Sequence, residues 1–348
     1  MSRTAATLLP RHECGFRRDV PDSGLTANRR REQDRTLARR IISLLSTVIQ
    51  YNGGFTQAQN ARRGGSGVID LHLHTTASDG TCTPAELVDR IRQARIRTFA
   101  VADHDTVAAV AETSRLGDQG GLVCVPALEI TAVHEGKDVH VLGYFVDIEC
   151  PSLLSFLESS RADRMRRAKV MCERLAELGA PIDFGQLLAR TGGPNSGKAI
   201  ARPVVARALL EAGHVETIQE AFDRFLADGG PAYCPRIGAS PTQVVQVIAE
   251  AGGIASLAHP GLLKHDGLIE SLAETGLTAL ECYHSEHDAG VTAKYLAVAR
   301  RLGLAVTGGS DFHGPTGRRA EHFGRISLPR PEYEALVKRA GTAAAQFT

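Results

Sequence analysis

The sequence predicts an α/β protein in which a largely parallel sheet closes, or nearly closes, into a barrel. Two observations lead to this prediction. From Val68 onward, short β-branched runs alternate with helical patterns over short links, and repeated strand–helix units of this kind form parallel sheets. Histidine and carboxylate side chains also recur where each predicted strand ends. The 348 residues leave room for an insertion beside one barrel, because such barrels take about 200–250 residues.

The first strand–helix unit carries the clearest local signals. Residues 67–74 (GVIDLHLH) alternate, so apolar and polar side chains face opposite sides of a strand. Residues 83–96 predict a helix in which Thr83 is the N-cap, a proline opens the first turn and Glu86 completes a capping box. Residues 97–105 form the next strand and its exit.

The remaining strands follow the same rhythm, with one exception. Residues 121–130 predict a strand that turns through HEGKD into a second strand at 139–145, which makes a hairpin rather than a crossover. Further strands, separated by helical patterns, are predicted at 253–260, 277–284 and 304–314.

The stretch from about 150 to 236 interrupts this rhythm. It holds four helical segments without strands, which predicts a helical insertion that caps the barrel mouth. We interpret four arginines near its start as a solvated helix face: Arg161, Arg164, Arg166 and Arg167. The predicted organisation is a leader at 1–66, a barrel from 67–150 and 237–330, an insertion at 151–236, and a C-terminal helix or tail at 331–348.

The basic charge of the chain is concentrated in the leader. Residues 1–66 hold twelve arginines and no lysine against five acidic residues, whereas the rest of the chain is mildly acidic. Three interpretations are open. The leader is an Arg-rich targeting or nucleic-acid arm, or a solvated tail around one amphipathic helix. Alternatively the start is misplaced, because Val68 directly precedes IDLHLHT and valine codons can initiate in bacteria.

The overall composition excludes several classes of protein. With 43% hydrophobic and 23% charged residues and a net charge of +1, it is far from that of a disordered chain. No apolar run approaches the roughly 18 residues of a membrane span, and no signal-peptide core follows Met1. Seven cysteines without a CxxC pair argue against a disulfide framework. We therefore expect a soluble cytoplasmic protein without membrane partners.

The histidines and carboxylates at the predicted strand ends point to a metal site. In a parallel barrel the C-terminal ends of all strands open onto one rim, so residues distant in sequence converge there. Imidazoles and carboxylates are ligands favoured by zinc, manganese and iron. The residues at these ends are His72, His74, His104, Glu129, His259, Glu281, His284, Asp311 and His313. A site for several ions is therefore predicted.

The chain also carries six motifs in series: HLHTTASDG, VADHDT, LEIT, VHVLGY, LAHP and GGSDFHG. They resemble the motifs of the PHP (polymerase and histidinol phosphatase) superfamily of phosphoesterases. Their order is most similar to the subgroup of nucleoside-3′,5′-bisphosphate phosphatases and 5′–3′ exoribonucleases. The resemblance covers about residues 68–330. It implies a distorted (β/α)7 TIM-like barrel with three divalent ions in a cleft at the strand ends.

The resemblance further implies which residues hold the ions. The family's ligand positions match the following residues of this sequence: His72, His74, Glu129 and Asp311 for the first ion, Glu129, His140 and His259 for the second, and Asp79, His104 and His313 for the third. Asp79 stands where some relatives have histidine; the third set is thus richer in oxygen, which favours manganese over zinc or iron. We assign no metal to His284 or His287, and expect His134 and His214 at the surface.

The expected chemistry is hydrolysis of a phosphate ester. Clustered cations lower the pKa of bound water, and a hydroxide held between the ions would attack phosphorus in line. The expected catalytic residues are His104, Asp311 and His313, and either Asp311 or a histidine beside a metal protonates the leaving alkoxide. Asp103 and Asp105 flank His104 and either face solvent or support an imidazole. The sequence contains no GxSxG elbow and no P-loop lysine motif.

The insertion supplies the candidate substrate-binding residues. Lys198 and Arg202 lie in a glycine-containing segment that opens a predicted helix, where a second phosphate would be favoured. Val204 departs from the histidine that relatives usually have after the Arg-Pro pair, which bears on substrate preference. The predicted substrates are nucleoside 3′,5′-bisphosphates and the 5′ ends of short single-stranded RNA, with no protein partner. The alternatives are a histidinol-phosphate phosphatase and a non-catalytic metal-binding PHP module.

Overall fold

The structure of this chain is a computed structural model that describes residues 67–190, 200–317 and 319–346. The predicted leader and Lys198 lie outside the described residues. None of the described helices combines the length and the apolar character that a bilayer crossing requires.

Seven strands form one sheet in which neighbours in space are neighbours in sequence. They are β1 (Val68–Leu73), β2 (Ile96–Val101), β3 (Val123–His134), β4 (Lys137–Tyr144), β5 (Ile254–Leu257), β6 (Ala279–His284) and β7 (Ala305–Gly309). Strand β4 runs antiparallel to both β3 and β5, and the other pairings are parallel. The predicted hairpin through HEGKD accounts for the reversed strand, since a two-residue turn cannot return a chain in parallel.

The sheet closes into a barrel where the exits of β1 and β7 meet. Leu73 and Phe312 form a parallel bridge. The backbone N–H of Asp311 donates to the carbonyl of His72 at 2.8 Å, and that of His74 donates to the carbonyl of Phe312 at 2.9 Å. The predicted α/β class and the distorted seven-stranded barrel are therefore confirmed.

The described part of the chain contains eleven helices. They are α1 (Pro84–Gln93), α2 (Val110–Gln119), α3 (Pro151–Glu177), α4 (Phe184–Arg190), α5 (Arg202–Glu211), α6 (Ile218–Ala221), α7 (Pro241–Glu250), α8 (Pro260–Leu263), α9 (Asp266–Glu274), α10 (Ala289–Leu302) and α11 (Arg330–Gln346). A π-helical turn at Phe222–Leu226 continues α6, and a short 3₁₀ turn occupies Ala320–His322.

Helix α1 begins as the sequence predicts. The Thr83 hydroxyl accepts a hydrogen bond from the Glu86 N–H, and the Glu86 carboxylate accepts one from the Thr83 N–H at 2.8 Å. This capping box satisfies two backbone donors that a helix start leaves without partners. Ser240 and Gln243 form a second capping box at the start of α7.

Three separate hydrophobic clusters support these elements, and one of them packs α1 against β2 through Leu87, Ile91 and Phe99. The largest one packs the sheet against its flanking helices and includes Leu71, Leu128, Tyr144, Ile248, Leu257 and Leu280. A second cluster is built by α3 to α6 and the π-helical turn, and it includes Met171, Leu175, Leu187, Leu209 and Phe225. The region between β4 and α7 is helical throughout its described elements and has its own apolar core. The exact domain boundaries stay a prediction.

Candidate metal centre

The end of β1 places two imidazoles beside one carboxylate. His72 and His74 project to the same face because they lie two residues apart in an extended segment, and both are buried. Their Nε2 atoms lie 3.4 Å and 3.1 Å from Asp311 Oδ1. Glu129 Oε2 lies 3.5 Å from each of the same two nitrogens. These four residues, carried over as the first ligand set, therefore face one another across a single small space.

The carboxylate of Glu129 also faces a second group. Its Oε1 atom lies 2.9 Å from His140 Nδ1 and 3.2 Å from His259 Nε2. The β3–β4 hairpin brings His140 here, since Thr131 is its partner in the antiparallel ladder. Glu129 thus stands between the first and second predicted sets, with one oxygen toward each.

The third predicted set gathers around Asp79. His313 Nε2 lies 3.3 Å from Asp79 Oδ1, and His104 Nε2 lies 3.8 Å from Asp79 Oδ2. His74 also contributes a ring nitrogen to this group. His104 Nδ1 lies 3.0 Å from Glu129 Oε2, so His104 connects this group to the carboxylate between the first two.

Asp103 fixes the loop that carries Asp79. It is buried and accepts hydrogen bonds from the Thr75 N–H at 2.8 Å, the Thr75 hydroxyl at 2.6 Å and the Ser78 hydroxyl at 2.6 Å. The sequence left two alternatives for Asp103, solvent exposure and support of an imidazole. Both are therefore wrong for this residue. Asp103 instead tethers the turn after β1.

The charges in the centre favour bound cations. Burial opposes ionisation of Glu129, but the imidazoles that face this carboxylate outweigh burial and hold its pKa well below the ordinary range. Burial likewise opposes a charged His72, yet Glu281, Asp311 and Glu129 raise its pKa well above the usual value. Burial lowers the pKa of His104 to about 3, which leaves a neutral imidazole whose electron pair is free to bind a metal.

The residues present fit divalent metal ions. Nε2 of His72 and both ring nitrogens of His74 are buried without a hydrogen-bond partner among the described residues. Such atoms are rare because leaving them unpaired costs about 1–3 kcal/mol each. Four groups of imidazole and carboxylate atoms in this centre are spaced closely enough to hold an ion. Coordination would satisfy the unpaired nitrogens and offset the buried negative charge.

Two residues of the centre are absent from the ligand sets carried over from the family. Glu281 is fully buried, with Oε1 2.9 Å from His72 Nδ1, and its Oε2 accepts the His259 backbone N–H at 2.7 Å. Its place near the end of the strand predicted at 277–284 was the available signal. Arg319 forms an ion pair with Asp311 from the segment after β7, and neither periodicity nor spacing marks that arginine in advance.

A glycine permits the close approach of β7 to β1. A Cβ atom on Gly309 would lie 2.4 Å from the Cβ atom of His72, a distance that no side chain tolerates. Asp311, two residues later, has a φ of 54°. Non-glycine residues in this region are strained by about 1–3 kcal/mol, and such strain concentrates at functional sites.

An arginine cluster borders the centre on the side of the insertion. It comprises Arg164, Arg167, Arg202 and Arg236. Arg164 pairs with the Asp105 carboxylate and donates from Nη2 to Thr131 Oγ1 at 2.9 Å. Asp138 Oδ1 lies 3.3 Å from Arg236 Nε, and its Oδ2 lies 3.5 Å from Arg202 Nη2.

The prediction that the arginines of α3 form a solvated helix face is wrong for two of them. Arg164 is 3% exposed and Arg167 is 4% exposed, whereas Arg166 is exposed as expected. Arg167 donates from Nε to the Cys234 carbonyl at 2.9 Å, while its Nη2 has no partner within the described part of the chain. Asp105 is buried against arginines, so it neither faces solvent nor supports an imidazole.

The other residues singled out from the sequence lie as follows. Val204 is half-buried and packs against the apolar cluster of the insertion. His284 is buried, with Nε2 3.3 Å from Asp311 Oδ2, and His287 Nδ1 lies 2.9 Å from the Cys282 carbonyl oxygen. His214 Nε2 lies 3.1 Å from the Pro181 carbonyl oxygen, away from the centre.

Comparisons with known proteins agree with this geometry. The chain is 35% identical over 257 residues to the 5′–3′ exoribonuclease Rnm of Escherichia coli K12. The matched region covers 71% of this chain and 86% of the relative. It is 31% identical over 252 residues to the 3′,5′-nucleoside bisphosphate phosphatase of Chromobacterium violaceum, covering 71% of this chain and 87% of that one. No family model matches the chain.

A solved structure extends the likeness to the fold. A metal-dependent phosphoesterase from Bifidobacterium adolescentis superposes with a TM-score of 0.71 at 32% identity, over 79% of this chain and 97% of that one. Together with the imidazole and carboxylate groups of the centre, this likeness indicates divalent metal ions.

Proposed function

This chain belongs to the PHP superfamily of metal-dependent phosphoesterases, and from that premise we propose that it removes one phosphate from nucleoside 3′,5′-bisphosphates. It is a phosphoric ester hydrolase. One observation carries the choice of substrate: the metal centre and the arginine cluster share an edge. Thr131 pairs with His140 of the metal centre in the hairpin, and the Thr131 hydroxyl accepts a hydrogen bond from Arg164 of the arginine cluster.

The proposal assigns three divalent ions to the nine residues carried over from the family. The oxygen donors of Asp79, Glu129 and Asp311 support manganese, because harder ions prefer carboxylate ligands. Bound ions would lower the pKa of coordinated water and draw charge from the phosphoryl oxygens. His74 and Glu129 would stand between neighbouring ions, since each faces more than one group of ligands.

In this proposal the Asp311 carboxylate binds positively charged groups and does not supply the proton. Its Oδ1 faces His72 and His74, and its Oδ2 faces His284 and pairs with Arg319. With both oxygens engaged by imidazoles or a guanidinium, the carboxylate stays ionised. His313 stands at the rim with a quarter of its side chain exposed. Because the third ligand set occupies His313, the proton for the leaving alkoxide would come from a histidine that lies beside the ions and holds none of them.

The arginine cluster would hold the second phosphate. Guanidinium groups bind phosphate oxygens in paired, charge-assisted hydrogen bonds, and Arg167 Nη2 is buried without a partner among the described residues. Arg202, predicted from the sequence for this role, is only partly buried and pairs with Asp138 and Asp228. A phosphate would replace part of those contacts. Lys198 stays a prediction, since it lies outside the described residues.

Steady-state kinetics with two substrates test this proposal. We expect Arg202→Ala to raise KM for adenosine 3′,5′-bisphosphate by about tenfold or more, since a charged hydrogen bond contributes about 1.5–3 kcal/mol. KM for AMP should change far less. Arg301→Ala, which removes an exposed arginine of α10 paired with Glu270, is the control. Equal effects of Arg202→Ala on both substrates would contradict the two-phosphate assignment. Histidinol phosphate is assayed beside them, and a higher kcat/KM for it would favour the histidinol-phosphate phosphatase.

A second candidate activity is removal of nucleotides from the 5′ end of RNA. The observation that favours it is the 35% identity to an exoribonuclease. Both reactions break a phosphate ester of a nucleotide, so one centre could perform both. Incubation with a short 5′-phosphorylated RNA that is labelled on its 5′ nucleotide tests this. Degradation from the 5′ end releases the label at once as a mononucleotide, whereas degradation from the 3′ end keeps the label on progressively shorter RNA.

The proposal places the protein in the cytoplasm. The six described cysteines are all free, and five of them are buried. Disulfides persist in oxidising compartments and are rare in the cytosol, so the state of these thiols supports a reducing environment.

A further inference from the structure

A second group of metal-ligating side chains lies at the tip of the β3–β4 hairpin. This hairpin-tip cluster comprises His134, Glu135 and His265, each of which offers one ligand atom within 4.8 Å of the others. The imidazoles of His134 and His265 meet edge to face, with ring centroids 5.3 Å apart. His265 Nε2 lies 3.9 Å from Glu135 Oε2, which is too long for a hydrogen bond.

The backbone on the hairpin side fixes this arrangement. Glu135 and Gly136 have φ values of 50° and 77°, and His134 pairs with Lys137 as the last rung of the ladder. Positive φ at both central residues is the signature of the tight two-residue turn that matches strand twist. The turn therefore presents His134 and Glu135 side by side at a defined position.

The partner residue comes from the connection between α8 and α9. Lys264 ends α8 in the left-handed conformation, with a φ of 53°, and His265 immediately precedes α9. The side chains of His265 and Glu135 are 48% and 71% exposed, so an ion can reach them from solvent. The cluster thus joins two segments that are 130 residues apart in the sequence.

The hairpin-tip cluster is distinct from the metal centre. It shares no residue with that centre, and His134 lies five residues beyond Glu129 along β3. At about 3.3 Å per strand residue, this separation is roughly 17 Å. The hairpin-tip cluster nevertheless lies on segments that also carry residues of the metal centre. The hairpin carries Glu129 and His140, and His259 directly precedes α8.

We propose that His134, Glu135 and His265 form a surface site for a zinc-type divalent ion, which ties the hairpin tip to the α8–α9 connection. Two imidazoles and one carboxylate are a ligand set that zinc takes in proteins, with water as the fourth ligand. In a tetrahedral zinc site the ligand atoms are about 3.4 Å apart. Small rotations of the exposed His265 and Glu135 side chains reach that spacing. The proposal rests on the geometry of this cluster and is independent of the substrate.

Zinc titration against a chromophoric chelator tests the site. The number of zinc ions bound per chain is compared in the wild type, His265→Gln, Glu135→Gln and the control His322→Gln. His322 is a matched control because its Nε2 also lies near a glutamate, 3.7 Å from Glu321 Oε1, without a second imidazole in a ligating group among the described residues. Zinc taken up by the metal centre is common to all four proteins, so it cancels in the comparison.

We expect the wild type and His322→Gln to bind one zinc ion more than His265→Gln, and Glu135→Gln to bind that ion more weakly. Zinc should also raise the unfolding temperature of the wild type more than that of His265→Gln, because the ion joins two segments only in the folded chain. Equal zinc stoichiometry and affinity in the wild type and His265→Gln would overturn the proposal. The exposed position of His265 makes this variant compatible with folding.

Discussion

His72 Nδ1 lies 2.9 Å from Glu281 Oε1, and both side chains are fully buried. The contact spans 209 residues and joins β1 to β6. Because Glu281 accepts the proton on Nδ1, the opposite nitrogen of the ring is left to face Asp311 and Glu129. Carboxylates that orient a metal-binding histidine in this way tune both affinity and activity.

The first prediction concerns this pair. Glu281→Gln keeps the shape of the side chain and removes its charge, so the orientation and basicity of His72 should suffer. We expect the manganese affinity or the rate of phosphate release to fall by about 10–100-fold. The measurement is phosphate release as a function of manganese concentration. Glu274→Gln, at an exposed carboxylate, should behave like the wild type; a Glu281→Gln variant that also does so would contradict the role of Glu281.

The second prediction concerns metal removal. The centre holds buried imidazoles around the carboxylates of Asp79, Glu129 and Asp311, and ions bound there should stabilise the folded state. A ligand present at 100 times its Kd contributes about 2.7 kcal/mol, which corresponds to a rise in Tm of about 5 °C for a folded part of this size. Chelation should therefore lower Tm, and manganese should restore it. A His74→Ala variant should show a smaller difference, and identical shifts in both proteins would argue against ligation by His74.

The third prediction concerns the buried ion pair of Arg164 and Asp105. Asp105→Ala leaves the arginine charge buried beside Thr131 with a weaker set of partners. Breaking such a pair costs about 3–5 kcal/mol of unfolding free energy. The matched control is Glu173→Ala on α3, the helix that carries Arg164. Glu173 pairs with the exposed Lys169, and loss of this surface pair should cost less than about 1 kcal/mol. Denaturant unfolding measures both, and equal losses would mean that the buried pair contributes no more than a surface pair.

The fourth prediction concerns cysteine reactivity. Burial raises the pKa of Cys124 to about 12, so the reactive thiolate is scarce below that pH. Raising the pH of the folded protein from 7 to 9 should leave Cys124 unlabelled by iodoacetamide. Cys150, which is half-exposed, should be labelled before the other five cysteines that the structure describes. Peptide mapping by mass spectrometry gives the order, and rapid labelling of Cys124 without unfolding would contradict its burial.

Much of the fold follows from local signals in the sequence. The capping box of Thr83 and Glu86 and the turn through Glu135 and Gly136 depend on residues within four positions of one another. Local chemistry of this kind fixes where a helix begins and where a strand reverses. The convergence of strand ends follows from barrel topology, which is why residues as distant as His72 and Asp311 could be assigned to one site.

The contacts that the sequence could not reveal are long-range pairings of charge. Arg164 and Arg167 sit on a helix whose local pattern is that of a solvated face, yet Asp105 and the Cys234 carbonyl bury them. No periodicity in α3 reports a partner from another element. The same reason explains why Arg319 was not identified, since its partner Asp311 lies across an irregular segment.

The most direct test of the central claim is phosphate release by metal-stripped protein on addition of manganese. Adenosine 3′,5′-bisphosphate is the substrate, and the wild type is compared with His104→Ala and the surface control His322→Gln. Circular dichroism establishes that each variant is folded. If the strand-end centre performs the reaction, release appears only after manganese is added, equals the wild type in His322→Gln and is lost in His104→Ala. Release that persists after chelation, or is unchanged in His104→Ala, would contradict the assignment of the centre.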